Sequence, residues 1–249
     1  MVFVSEKMNP SEILTQIDNR HLYGQRMGER GPIVIIDAGL GDSSASWTEI
    51  QRAVSAFARV LVYDRAGLGR SDPAPVPRAA QDIIADLRHL LAATLLQPPY
   101  ILVAHSWSGI NARYFANEYP DEIAGMVLID AVHEDKYERF ASIQTEEQNA
   151  RMWAAVKDPA KNDEHIDRIA SIEQMRATPR LYNFPLIVLT RASKDDPWNQ
   201  IETSLQAEFL KLSSNSKQYV STSNDHFLNK TDPALIVNAI QEIINTINP

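Results

Sequence analysis

An open, mostly parallel α/β sheet with an antiparallel start is the fold class this sequence predicts. Three observations lead there. Five short apolar runs, rich in β-branched residues, recur along the chain; runs of that length and composition read as strands buried on both faces. Amphipathic helical patterns lie between them. Near the N-terminus a polar turn separates two short segments, so the chain opens as a hairpin.

In chain order, 13–17 and 21–25 flank the turn Asp18-Asn19-Arg20. Residues 33–36 (IVII) and 60–63 (VLVY) are the first two apolar runs. The spacing predicts a helix over 81–96, with Ile83, Ile84, Leu87, Leu90 and Leu91 on one face. The run 100–104 (YILVA) follows, then a helix over 109–118 that Pro120 stops. The run 126–129 (MVLI) is the fourth and 186–189 (LIVL) the fifth. A last helix spans 233–247, with Pro233 at its first turn and Leu235, Ile236, Ala239, Ile240, Ile243 and Ile244 facing the core. Between the fourth and fifth runs, 133–183 is polar, helix-prone and too long for a plain loop. A small helical cap is expected there, inserted within one domain spanning 1–249.

Composition narrows the function. The 249 residues suit a single α/β domain. No cysteine is present, which excludes disulfide scaffolds, thiolate metal sites and any cysteine nucleophile. The net charge of −8 and the lack of a Lys/Arg run argue against nucleic-acid partners and anionic membrane surfaces. The first residues, MVFVSEKMNPSEIL, lack the apolar run of a signal peptide. No apolar stretch nears the roughly 20 residues of a membrane helix. A cytoplasmic protein is therefore expected.

The chemistry centres on Val103-Ala104-His105-Ser106-Trp107-Ser108-Gly109, which leaves a buried run and opens a helix. That is the context of a nucleophile elbow. The sharp turn demands small residues two before and two after the nucleophile, and Ala104 and Ser108 supply them. Ser106 is thereby raised to the carboxyl end of the sheet, where open α/β folds bind ligands. Asp37-Ala38-Gly39-Leu40-Gly41-Asp42 follows the first parallel run, and its glycines allow the Leu40 N–H to turn toward Ser106. With the Trp107 N–H it would form an oxyanion hole.

Of six histidines, His226 lies just before the last helix, where a Ser…acid…His order puts the base. His133 is a second candidate. His105 precedes Ser106 and is expected to pack beneath the turn. The acid must follow a strand end. Asp130 ends the fourth run and is preferred, because Asp195 sits in the longer polar loop 191–197; Asp195 remains the alternative. Gly67-Leu68-Gly69 lacks the third glycine of a dinucleotide fingerprint and reads as a structural turn, with Asp64 and Arg65 bonding to loop backbone.

These pieces, GLGDSSASW at 39–47, YDRAGLGRSD at 63–72, LVAHSWSG at 102–109, YPDEIAGMVLIDA at 119–131 and DHF at 225–227, together resemble the α/β-hydrolase superfamily. The resemblance implies an eight-stranded, mostly parallel sheet, Ser106 as nucleophile, His226 as base, and oxyanion donors at Leu40 and Trp107. It departs from the family where Ala38-Gly39 stands for His-Gly and where Ala104 and Ser108 replace two glycines. Serine rather than aspartate at position 106 argues against haloalkane dehalogenase and epoxide hydrolase chemistry.

The expected activity is that of a serine esterase or lactonase on small to medium substrates, with no metal or organic cofactor. Gly39, Met152, Trp153 and Met175 are expected to line a mostly apolar substrate pocket. Two other classes remain. A hydroxynitrile-lyase-like or other C–C-cleaving enzyme would carry a cap lysine or arginine over the pocket, with Arg139, Arg151 and Lys157 available. A non-catalytic small-ligand receptor would use the same fold without turnover.

Overall fold

The computed structural model describes residues 10–178 and 181–247. The stretch read for a targeting signal lies mostly at 1–9, outside them, as do 179–180 of the segment expected as a cap. The strands are β1 (Ser11–Ile17), β2 (Arg20–Met27), β3 (Ile33–Asp37), β4 (Arg59–Tyr63), β5 (Tyr100–His105), β6 (Ile123–Ile129), β7 (Leu186–Thr190) and β8 (Ser216–Val220). They form one eight-stranded sheet in the order β1-β2-β4-β3-β5-β6-β7-β8. β1 and β2 pair antiparallel, and β2 meets β4 antiparallel. Every other pairing is parallel.

Strand periodicity explains why the apolar runs are continuous. Successive side chains point to opposite faces, and here both faces are covered. Ile33, Ile35, Leu61, Leu102, Met126, Leu128, Leu186 and Val188 enter one core. Their neighbours Val34, Ile36, Val60, Val62, Val103, Val127, Ile129, Ile187 and Leu189 enter the other. The helices α1 (Thr48–Val54) and α9 (Pro233–Ile247) close the second face through Ile50, Val54, Ile236, Ile240 and Ile243. The first face is closed by α2 (Ala80–Thr94) and α3 (Ser108–Glu118), through Leu87, Leu90, Ala112 and Phe115.

β8 has no counterpart among the runs singled out in the sequence. Its sequence, SKQYV, is half-exposed at the sheet edge and carries no apolar block. Between β6 and β7 lie α4 (Lys136–Ala141), α5 (Glu146–Lys157) and α6 (Arg168–Ala177). α6 docks on α2 and α3, with Ile172 and Met175 joining Ile83, Trp107, Ile110 and Ile166 in a third apolar cluster. After β7 the polar loop ends sooner than its composition suggests. Asp196 caps α7 (Pro197–Glu208) by accepting the Asn199 N–H at 3.0 Å, with Pro197 in the first turn. The short α8 (Leu228–Thr231) precedes α9. Among the described residues no helix is long and apolar enough to cross a membrane.

Candidate active site

At the exits of two adjacent central strands the backbone is left-handed, at Ser106 (φ 56°) after β5 and Asp130 (φ 41°) after β6. Such a conformation costs a non-glycine residue on the order of 1–3 kcal/mol and persists only where its surroundings impose it. Here neighbouring strands impose it. The Ser106 N–H donates to the Ile129 carbonyl at 3.0 Å, and the Ser106 carbonyl accepts from Val132 N–H at 2.8 Å and Gly109 N–H at 3.1 Å. The Asp130 N–H donates to the Leu189 carbonyl at 2.7 Å. Both side chains are thus turned out of the sheet at its carboxyl end.

They meet His226, carried by the loop before α8. His226 Nε2 is 2.8 Å from Ser106 Oγ, and Nδ1 is 2.5 Å from Asp130 Oδ2. Burial would raise the Asp130 carboxyl, but its hydrogen bond with His226 and the charge of Arg191 outweigh it, and the group is held below the usual range. Asp195 is exposed in the loop before α7. Of the two carboxylates weighed from the sequence, the structure brings Asp130 to the imidazole.

His105 packs beneath the turn. Its ring lies 4.7 Å from that of His226, and its Nε2 is 2.9 Å from the His226 carbonyl oxygen. Burial, and then the His226 charge, push His105 down to about 4, so it is neutral near pH 7. The Nε2–H therefore donates to the loop that carries His226. His133 is also buried and accepts the Asp135 N–H through Nδ1 at 3.1 Å.

The loop after β3 comes close to Ser106. A Cβ added at Gly39 would stand 3.4 Å from Ser106 Cβ and 2.8 Å from His105 Nδ1, so only glycine fits. Neither the Leu40 N–H nor the Trp107 N–H is engaged by another group among the described residues. This loop is fixed from below by Arg65. Its guanidinium reaches Asp37 Oδ1 (2.5 Å), the carbonyls of Ala38 (2.6 Å) and Gly39 (2.7 Å), and both oxygens of Glu164 (2.6 and 2.7 Å). Glu164 lies between α5 and α6, and its Oε1 also accepts the Gly41 N–H at 2.8 Å. Arg65 and Glu164 are buried. Burial works against the guanidinium charge, yet Glu164 and Asp37 hold it firmly protonated. Asp64 accepts the Ser44 and Arg70 N–H groups at 2.7 and 2.9 Å. Arg65 and Asp64 therefore bond to loop backbone, as their turn suggests, but Arg65 also forms a charged link to the β6–β7 insertion that sequence spacing does not reveal.

Gly109 sets the approach of α3 to the β6 exit. A Cβ there would lie 2.6 Å from Ala131 Cβ. Gly109→Ala should lower stability by about 1–3 kcal/mol through overpacking. Thermal unfolding checks this, and a melting temperature within about 1 °C of wild type would contradict the close approach.

Beside His226 a small cleft is lined by Asp130, His133, Lys136, Glu202, Leu205 and Gln206. Its walls are largely polar, and none of Met152, Trp153 and Met175 is among them. Met152 and Trp153 are half-buried on α5, with the Trp153 ring 6.1 Å from that of Tyr137. Met175 is buried in one cluster with Trp107, its Sδ 3.0 Å from Arg113 Nη2. Arg139 pairs with Glu208 at 2.8 Å, Arg151 with Glu147, and Lys157 lies over the Trp153 ring at 5.6 Å. The lysine of the insertion that lines the cleft is Lys136, 2.7 Å from Glu202.

His133, Asp135 and Glu208 bring ligand-type atoms within 4.8 Å of one another. Asp135 already pairs with Arg176 at 2.5 Å and Glu208 with Arg139 at 2.8 Å, so both carboxylates have cationic partners.

An eight-stranded, mostly parallel sheet with a strained serine at the tip of β5 defines an α/β hydrolase. A family model described as alpha/beta hydrolase fold matches residues 31–246, and the chain belongs to that family. The uncharacterized protein YqjL of Bacillus subtilis (strain 168) is 26% identical over 221 residues, covering 88% of this chain and 85% of that one. An AB hydrolase superfamily protein of Gibberella zeae is 33% identical over 119 residues, 46% of this chain but only 37% of that longer one. Among solved structures, a loop variant of the haloalkane dehalogenase DbeA from Bradyrhizobium elkanii aligns with a TM-score of 0.74 at 15% identity, over 96% of this chain and 98% of that one. At that identity the likeness shows the fold. Membership of that family supports a hydrolase, an enzyme of the alpha/beta hydrolase type.

Proposed function

We propose that this protein is a serine hydrolase that cleaves carboxylic ester or lactone bonds of small to medium substrates. The observation that carries this is the chain of contacts from Ser106 Oγ to His226 Nε2 at 2.8 Å and from His226 Nδ1 to Asp130 at 2.5 Å. Nucleophile, base and orienting acid are each within hydrogen-bond reach of the next. Ser106 Oγ attacks the carbonyl carbon while its proton passes to His226 Nε2. The carbonyl oxygen becomes an oxyanion, held by the Leu40 and Trp107 N–H groups. Collapse breaks the C–O bond, and the imidazolium gives its proton to the leaving alkoxide. Water, deprotonated by the same imidazole, then attacks the acyl-enzyme and releases the acid. No step requires a metal or organic cofactor.

A lyase reading has one observation in its favour, a lysine of the insertion, Lys136, in the cleft on the Asp130 side of His226, although Ser106 is not among the residues that line it. Its ammonium is already paired with Glu202 at 2.7 Å, which favours the hydrolase reading. Intact mass after a fluorophosphonate probe, followed by turnover of p-nitrophenyl esters, lactones and a cyanohydrin, separates the possibilities. One adduct with ester or lactone turnover is the expected result. Cyanohydrin cleavage without ester hydrolysis would favour the lyase. No adduct and no turnover on a folded protein would favour a ligand receptor.

A further inference from the structure

Asp130 Oδ2 accepts two partners. One is His226 Nδ1; the other is Arg191 Nη1, at 2.6 Å. Arg191 directly follows β7, the strand exit next to that of Asp130. Its Nη1 also lies 3.3 Å from His226 Nδ1, while its other terminal nitrogen pairs with Glu202 of α7. Glu202 in turn binds Lys136 of α4 at 2.7 Å. The backbone around Arg191 is tied to the loop that carries His226, Ala192 N–H donating to the Ser223 carbonyl at 2.7 Å and Ser221 N–H to the Thr190 carbonyl at 2.8 Å. An orienting carboxylate ordinarily faces its imidazole with an undivided negative charge. Here that charge is shared with a guanidinium.

We propose that Arg191 is a positioning residue for the Ser106–His226 pair, clamping the Asp130 carboxylate from the β7 side and holding a permanent positive charge against the imidazole. The inference rests on His226 acting as the base. Two consequences follow. The carboxylate keeps one orientation in the resting protein, because two donors from different elements converge on one oxygen. The guanidinium also stands 3.3 Å from the imidazole, so a proton taken up by His226 is placed beside a positive charge as well as beside the carboxylate. The other groups facing His226 do not supply this charge. His105 from β5 is pushed down to about 4 by burial and is neutral near pH 7. Lys136 shares Glu202 with Arg191, but among the described residues it makes no contact with the imidazole, whereas Arg191 lies 3.3 Å from it. His133 lines the far side of the cleft and is held below its ordinary value, mainly by burial. Asp225, on the same loop as His226, is acidic, and Asp42 adds negative charge near His105.

The test is the pH dependence of kcat/KM for p-nitrophenyl acetate, on wild type, Arg191→Gln, Arg191→Lys and Glu202→Gln, each checked for folding by its melting curve. Arg191→Gln keeps an N–H donor for Asp130 and removes the charge. Its acid limb should move up by about one pH unit, lowering turnover roughly tenfold at the acid end and much less on the alkaline plateau. Arg191→Lys keeps the charge, so its limb should stay near wild type while the plateau falls with loss of the planar fork. Glu202→Gln removes the carboxylate that Arg191 shares with Lys136 and should move the limb down. An Arg191→Gln limb at the wild-type position, with turnover lowered evenly at all pH values or not at all, would overturn the proposal. If that variant does not fold, Glu202→Gln made in a Lys136→Gln background decides, because Glu202 then serves Arg191 alone: a downward shift relative to Lys136→Gln supports the proposal and an unmoved limb overturns it. Wild type without turnover or fluorophosphonate labelling would instead be a failure of the serine hydrolase reading, visible before any Arg191 variant is compared.

Discussion

Replacing Ser106 by Ala should abolish fluorophosphonate labelling and lower ester turnover by on the order of 10⁵–10⁶-fold, without a comparable loss of stability. The size of the effect comes from the hydroxyl itself. It is the atom His226 Nε2 faces at 2.8 Å, and no other side chain contacts that nitrogen among the described residues. When nucleophile and base act as a unit, removing either leaves only the contribution of binding and oxyanion donors. Stability should change little because the hydroxyl does not hold the turn. The strained backbone at φ 56° is held by main-chain bonds to Ile129, Val132 and Gly109. Turnover within tenfold of wild type in the Ala variant would rule out Ser106 as the nucleophile, and a labelled peptide elsewhere would show which residue replaces it.

Asp130→Asn and Asp195→Asn should differ by about four orders of magnitude in kcat. Asparagine is nearly isosteric with aspartate and tolerates the left-handed backbone that Asp130 adopts, so the turn should survive. The chemistry should not. Arg191 donates to the same oxygen and so keeps an acceptor there, but the uncharged amide no longer stabilises the imidazolium formed when His226 takes the Ser106 proton. Asp195 is exposed and forms no contact with His226, so its substitution should be silent within twofold. Equal, mild losses in both variants would mean that the imidazole is oriented by some other group.

The parts of the molecule that were legible in the sequence are those fixed by local pattern. The central strands declare themselves because both faces are buried, which turns alternation into continuous apolar runs. Ser106 is legible because its sharp turn forces small neighbours, and His226 because chain order places it before the last helix. β8 is not legible in this way: it sits at an edge, half-exposed, and pairs on one side only. α7 had a usable signal in Asp196-Pro197, a cap followed by a first-turn proline, but the polar loop before it obscured the start. Arg191, Glu202 and Glu164 belong to a different case. Their importance lies in partners 61, 11 and 99 residues away in sequence, and a lone charged residue carries no mark of the opposite charge it will meet. Of the apolar residues expected to line a pocket, Met175 packs in one cluster with Trp107, next to Ser106, while Met152 and Trp153 lie half-buried on α5; the cleft on the Asp130 side of His226 is lined by none of them.

The Arg65–Glu164 pair also limits how the protein can be rebuilt. Segments between β6 and β7 invite exchange among relatives as a way of changing selectivity, because the sheet beneath stays the same. Here a transplanted segment would have to bring its own carboxylate to the place of Glu164. Without one, Arg65 would keep only Asp37 as a buried counter-charge, at a cost of about 3–5 kcal/mol, and the Gly41 N–H would lose its acceptor. Chimeras in this protein should therefore be cut to retain 162–167 with the host scaffold, so that the exchange begins at α4 and ends before the residue that anchors the loop carrying Leu40.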